Sequence, residues 1–109
     1  MASVYKVLGQ IKPAVTTNTT LYTVPAATSA VCSTLSICNI GTVSTTYRIA
    51  VRPAGATLAD IHYIVYDTAI NAYDTVFLTL GITLAATDVI TVYTGIATVV
   101  FNLYGSEIS

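Results

Sequence analysis

Turn-forming residues divide the chain into short segments that have the composition of β-strands. Gly, Pro, Asn, Asp and Ser recur at intervals of about ten residues, and the segments between them are rich in Thr, Val, Ile and Tyr. Residues 46–52 alternate most regularly, with Tyr47, Ile49 and Val51 on one face and Arg48 and Arg52 on the other. No window of about 11 residues holds a helical repeat. This pattern predicts an all-β, antiparallel fold.

The predicted strands alternate with turns along the whole chain. They span residues 4–10, 20–24, 30–40, 46–52, 61–67, 75–80, 89–94 and 96–104. Gly81 is expected to end the sixth strand, and Gly95 to allow a tight hairpin between the last two. About eight short strands indicate an antiparallel β-sandwich, either jelly-roll or immunoglobulin-like. The 109 residues suffice for one such domain, spanning 1–109.

Charge is scarce in this sequence. Apolar residues make up 54% and charged residues 8%, against roughly 25% charged in ordinary soluble domains. The net charge of −1 offers no basic face for a nucleic acid. Residues 13–47 carry no charge, yet Thr, Ser and Pro25 interrupt them, so no membrane-spanning helix is expected. We expect a soluble protein made in a cytoplasm, which associates with copies of itself because a weakly charged surface offers little electrostatic repulsion.

The acidic residues and the single histidine do not predict a catalytic site. Asp60 lies two residues from His62 and could orient its ring, but a lone His on a strand is usually structural. All four aspartates fall at strand edges or turns, where Asp caps backbone groups; a calcium site is the alternative. They are Asp60, Asp67, Asp74 and Asp88. We therefore expect no enzyme, no metal site and no cofactor.

Two cysteines, Cys32 and Cys38, lie on one predicted strand. Six extended residues separate them by about 20 Å. A disulfide needs Cα atoms within about 7 Å, and a shared zinc ion needs similar proximity. Both are predicted to be free, half-buried thiols.

Tyrosine is the abundant aromatic residue, with eight copies and no Trp. Strict alternation places Tyr63 on one face of its strand and Tyr66 on the other, so the two rings do not form one carbohydrate-binding stripe. Tyr and Arg are favoured in protein interfaces. Arg48, Arg52, Tyr63 and Tyr66 are accordingly the residues predicted to make subunit contacts.

Four segments of the chain form a recognisable set. They are LYTVPAATSAVCSTLSICN at 21–39, then TTYRIAVRPAGA, DTVFLTLGITLAATDVITVY and the ending VVFNLYGSEIS. As a set they resemble a family of small tailed-bacteriophage virion proteins. Together they cover nearly the whole chain. The family pattern often has Gly-Lys after Pro-Ala, where this chain has Ala27-Thr28.

The resemblance implies a non-enzymatic β-sandwich present in many copies on a phage particle, with a cyanobacterial phage as its expected source. It supplies no active-site residues. The leading expectation is a capsid decoration or cement subunit, made in the host cytoplasm, that packs against the major capsid protein and its own copies. The alternative is a tail, baseplate or fibre-joint component that contacts tail proteins and host glycans.

Overall fold

Eight strands and two short 3-10 turns make up the protein. The computed structural model describes residues 3–109. The strands are β1 (Ser3–Ile11), β2 (Thr19–Thr23), β3 (Ser29–Asn39), β4 (Thr45–Arg52), β5 (Tyr63–Ile70), β6 (Thr75–Leu84), β7 (Val89–Thr94) and β8 (Val99–Ile108). The 3-10 turns are Pro53–Gly55 and Asp60–His62. Each predicted strand therefore has a counterpart, although several boundaries differ.

The strands form two antiparallel sheets of four. Sheet I has the order β1-β8-β3-β6, and sheet II has the order β2-β7-β4-β5. The first strand pairs with the eighth, the second with the seventh, the third with the sixth and the fourth with the fifth. This nested pairing is a long hairpin rolled across two sheets, which is the jelly roll. The predicted antiparallel sandwich is confirmed, and of the two expected types the topology is the jelly roll.

The core lies between the sheets. Val99, Phe101 and Leu103 of β8 are fully buried, as their alternation predicts. The ring of Tyr47 on β4 meets the ring of Phe101 edge-on, with centroids 6.3 Å apart. Both sheets contribute to one continuous buried cluster, in which the other fully enclosed large side chains are Leu35, Ile37, Ile49, Ile70, Leu84, Ile90, Val24 and Val92.

Extra residues at one level make sheet I curve. Leu8 of β1 and Ser33 of β3 have no partner in β8, and β6 places Leu80 and Gly81 opposite the single residue Ser33. Such bulges bend a strand and increase its twist. The prediction that Gly81 ends the sixth strand is wrong, because the glycine adopts a φ of +62° within the bulge and the strand continues to Leu84.

The bulge at Ser33 also separates the two cysteines. Cys32 faces the core and is completely buried, whereas Cys38 is half-buried and lies on the outer face. Both are free, as predicted. Burial raises the pKa of the Cys32 thiol to about 11, so this cysteine remains protonated and unreactive near neutral pH.

Asn39, at the end of β3, organises one end of the sandwich. Its side chain is completely buried. The amide oxygen accepts hydrogen bonds from the Gly41 backbone at 3.0 Å and from Thr98 Oγ1 at 2.9 Å, and the amide nitrogen donates to the Val43 carbonyl at 2.8 Å. A Cβ at Gly41 would lie only 2.7 Å from Thr98 Oγ1, so the close approach of the two loops requires glycine.

A polar bridge joins the two sheets. Tyr22 of β2 donates a hydrogen bond to Glu107 Oε2 of β8 at 2.5 Å, and Lys6 Nζ of β1 lies 2.7 Å from Glu107 Oε1. Donation from Lys6 and then from Tyr22 lowers the pKa of Glu107. Burial, followed by the bond to Glu107, raises the pKa of Tyr22. The carboxylate therefore stays ionised and the phenol protonated.

The turn between β2 and β3 generates a prediction about stability. Ala27 has a φ of +56°, a left-handed conformation that costs an L-residue about 1–2 kcal/mol. We expect Ala27→Gly to raise the free energy of unfolding by about 0.5–1 kcal/mol after allowing for the greater flexibility of the unfolded glycine chain. Urea denaturation with an unchanged slope measures this effect.

The matched control is Ala26→Gly. Ala26 occupies the same exposed turn but has no positive φ. This substitution is expected to lower stability slightly, because only the unfolded state gains from it. Equal effects of the two glycines would contradict the assignment of strain to Ala27.

Candidate interaction surface

An arginine clamped between two aromatic rings lies at the centre of the outer face of sheet II. Arg48 Nε donates to Asp67 Oδ1 at 2.6 Å, and Nη2 donates to Asp67 Oδ2 at 3.2 Å. The guanidinium carbon lies 4.3 Å from the ring centroids of both Tyr66 and Tyr93. Donation from Arg48 lowers the pKa of Asp67, and the same bonds raise the pKa of Arg48. The forked bond and the stacked rings fix the guanidinium plane.

Irregular pairing of β5 assembles this cluster. Ile49 pairs with Val65 and Tyr47 with Thr68, so Tyr66 and Asp67 together oppose the single residue Arg48. Asp67 has a φ of +49°, a conformation that Asp tolerates better than most residues. The bulge therefore directs both an aromatic ring and a carboxylate to one guanidinium.

A second irregularity corrects the predicted arrangement of the tyrosines. Tyr63 pairs with Ala50 and Val65 with Ile49, which leaves Ile64 without a partner. This extra residue shifts the alternation, so Tyr63 and Tyr66 lie on the same face with ring centroids 4.8 Å apart at 82°. The prediction that they occupy opposite faces is wrong.

Arg52 lies on the same face but contacts different groups. Its Nε donates to Thr91 Oγ1 at 3.0 Å, and its Nη1 donates to the Ala56 carbonyl at 3.1 Å. These bonds hold the loop that follows β4 against β7. The structure thus brings Arg48, Tyr63 and Tyr66 into one cluster, while Arg52 braces the neighbouring loop.

A shallow depression of about 390 Å³ adjoins the two tyrosines. It is lined by Asp60, Tyr63 and Tyr66. His62 belongs to the preceding 3-10 turn rather than to β5, and its Nδ1 accepts a hydrogen bond from the Ala59 backbone at 3.0 Å. That nitrogen is engaged by the backbone rather than by Asp60.

Two of the remaining aspartates act as turn caps, as predicted. Asp74 accepts a hydrogen bond from the Thr75 backbone at 2.9 Å. Asp88 accepts from the Ala54 backbone at 2.8 Å and from the Ala85 backbone at 2.9 Å, which ties two loops together. Within residues 3–109, no three His, Cys, Asp or Glu side chains are grouped closely enough to hold a metal ion.

The outer face of sheet I is a second large surface and carries no charged side chain. The chain has four Lys and Arg and five Asp and Glu; all lie within the described residues. Three of them, Arg48, Arg52 and Asp67, project from sheet II, and the register turns Lys6 and Glu107 towards the space between the sheets. The other four lie in loops and turns.

Hydroxyl-bearing and apolar side chains cover this uncharged face. Tyr5 of β1 is 86% exposed and Phe77 of β6 is 68% exposed. Between these two rings lie the small side chains of Ser36 and Ser106, which are nearly flush with the surface at 7% and 8% exposure. A depression of about 550 Å³ lies on the β1 side of the face. It is lined by Tyr5, Lys6, Val7, Val31, Ser33, Tyr104, Gly105 and Ser106. Lys6 is its one charged residue, and its Nζ is paired with Glu107.

Sequence reasoning did not place Tyr93 or Asp67 in the cluster around Arg48, and it did not identify Phe77 as a surface feature. The sequence predicts that Asp67 caps a turn, whereas this residue lies in β5 and binds Arg48. Tyr93 and Asp67 join the cluster through strand pairing and a bulge, which no local pattern shows. Phe77 had a readable signal, since it shares the polar face of an alternating strand with Thr75 and Thr79. A large ring on such a face indicates a contact surface where it belongs to a larger apolar patch.

Comparison with known proteins does not assign this surface to a family. The chain matched no protein-family model, no curated protein and no solved structure. Among the described residues, no helix has the length and apolar character needed to cross a membrane.

The clamp around Arg48 generates a prediction about the ionisation of Asp67. We expect Arg48→Gln to raise the pKa of Asp67 towards its ordinary value, because the donated hydrogen bonds that favour the ionised carboxylate are lost. An NMR titration of the Asp67 carboxyl carbon measures the change. Arg52→Gln removes an equal charge from the same face and should leave this pKa unaltered. A pKa that responds equally to both variants would contradict the clamp.

Proposed function

We propose that the chain is a non-enzymatic structural subunit of a phage particle, most simply a capsid decoration or cement subunit. The observation that carries this proposal is the uncharged outer face of sheet I, which spans four strands and bears exposed aromatic rings. Extended surfaces of this kind mark places that associate with another protein. The resemblance of segment 21–39 and the later segments to phage virion proteins supports the same role, as does the occurrence of jelly rolls in viral capsids.

The stabilising mechanism would be burial of apolar surface without the desolvation of charge. Burial contributes about 25 cal/mol per Å² before the cost of association is subtracted. Because the one charged residue that lines this face, Lys6, is already paired with Glu107, little of that contribution is offset by charge desolvation. Repetition over a lattice then adds avidity, so modest contacts between single subunits can hold a shell.

Immunogold electron microscopy of source-phage particles tests this proposal. We expect gold distributed over the heads when an antibody to this protein is used. Gold confined to the tail or its tip would replace the decoration role with a tail, baseplate or fibre-joint role. Unlabelled particles, with the epitope shown to be accessible on a positive control, would overturn the virion assignment.

A second candidate function, contact with host glycans by a tail component, is favoured by the depression beside Tyr63 and Tyr66. Two rings at 4.8 Å offer apolar surface, and Asp60 offers a carboxylate that accepts hydrogen bonds from hydroxyl groups. Jelly rolls also occur in lectins. The fold by itself does not choose between these roles.

A glycan array tests the second candidate. Binding by the wild-type protein that is lost in Tyr63→Ala and Tyr66→Ala would support it. Tyr73→Ala is the matched control, because Tyr73 is 72% exposed in the loop between β5 and β6, away from the depression. An array without signal, together with tight binding to undecorated capsids, would favour the decoration role.

A further inference from the structure

We propose that the uncharged outer face of sheet I binds a second copy of this chain, with Phe77 of each copy inserted into the depression of the other. This inference deepens the proposed assembly function, because it specifies the contact between copies. Its physical basis is the coexistence on one face of a projecting ring, a depression that can receive it, and a lining whose one charged residue, Lys6, is paired with Glu107 of the same copy.

The ring and the depression lie on opposite sides of the face. Phe77 pairs with Ser36, which pairs with Asn102. The depression is bounded by Tyr104 and Ser106 of β8, two strands from β6 and a few residues further along. Strand spacing and rise place the two features on the order of 15 Å apart. They are therefore distinct parts of one surface.

A two-fold axis satisfies both contacts at once. If the axis lies in the contact plane, midway between ring and depression and perpendicular to the line joining them, each Phe77 enters the other copy's depression. Such an interface is isologous and closes after two copies. The Phe77 ring of each copy then fills the depression of the other. A foreign partner would need a complementary ring of its own.

The area of the face suits a stable dimer. The four strands of sheet I are 9 to 11 residues long. Their spacing gives a face of roughly 19 Å by 33 Å, or roughly 600 Å² in plan. The accessible surface of a corrugated face exceeds its plan area, and a standard interface takes about 800 Å² from each partner. Copies with a net charge of −1 also repel one another only weakly.

The bulges in sheet I account for the depression. Its lining includes Ser33, the extra residue of β3, and Val7, the residue before the bulge in β1. Val7 is 47% exposed and Tyr104, its partner on β8, is 37% exposed. Curvature produced by the bulges thus creates the concave part of the face, while Phe77 on the opposite edge strand supplies the convex part.

Sedimentation velocity over a range of concentrations tests the proposal on the purified full chain. We expect the wild-type protein to dimerise. Phe77→Lys should weaken dimerisation by at least about 100-fold, tenfold for each of the two rings removed from the interface. Ile61→Lys is the matched control, because Ile61 is 90% exposed in a 3-10 turn outside sheet I, and it should leave dimerisation unchanged.

A charge-complementation variant tests the specific contact. Val7→Asp, which places a carboxylate in the depression, should weaken dimerisation on its own. Combining it with Phe77→Lys should restore dimerisation, because each lysine would face an aspartate of the other copy. Circular dichroism serves as the check that each variant is folded. The side chains of Val7 and Phe77 both project outward, so their replacement leaves the core unaffected.

Three outcomes would overturn the inference. They are a wild-type monomer at about 1 mM, dimerisation that Phe77→Lys leaves intact, and a double variant that remains as weakly associated as the single variants. This test needs no phage particle. Failure of self-association would therefore leave the immunogold result untouched, and unlabelled particles would leave the dimer untouched.

Discussion

The buried amide of Asn39 holds together the end of the sandwich where the chain crosses between sheets. Its side chain contacts the loops from β3 to β4 and from β7 to β8, and its backbone N–H donates to the carbonyl of Asp74 in the loop from β5 to β6. Each of these loops carries the chain from one sheet to the other. An apolar replacement would leave the part-buried Gly41 N–H, Thr98 hydroxyl and Val43 carbonyl without these partners, which costs more than the hydrogen bonds themselves contribute. The network ties together three of the crossings between the sheets of the jelly roll.

The two sheets, joined by these loops, have outer surfaces of different composition. Sheet II carries charge, but Arg48 and Asp67 neutralise one another and two tyrosine rings cover the guanidinium. Sheet I carries Lys6 and Glu107, which pair with one another and whose register turns them towards the space between the sheets. The outer surface of sheet II is therefore polar, with its charged groups paired internally, whereas the outer surface of sheet I exposes hydroxyl and aromatic groups. The proposed roles in assembly rest on this difference.

Bulges convert a regular sheet into these particular surfaces. In β5 they bring Tyr63, Tyr66 and Asp67 to one side, and in β3 the extra residue Ser33 sends Cys32 inward and Cys38 outward. Local sequence carries little information about them, because Ser, Ile and Leu at these positions fit a regular strand equally well. Strict alternation therefore predicted the wrong side for one tyrosine, and the treatment of Gly81 as a strand terminator predicted an early end for β6.

Local sequence is enough to predict the class of the fold and the composition of its core. Periodic apolar residues such as Val99, Phe101 and Leu103, with turn residues between the segments, specify eight strands that must bury one face. The choice of which strands pair belongs to the tertiary structure, since the jelly roll joins residues as far apart as Gln10 and Asn102. The tertiary structure also decides which face each bulged residue occupies. Those choices depend on the cooperative pairing of distant strands and not on any local preference, and they create both candidate surfaces.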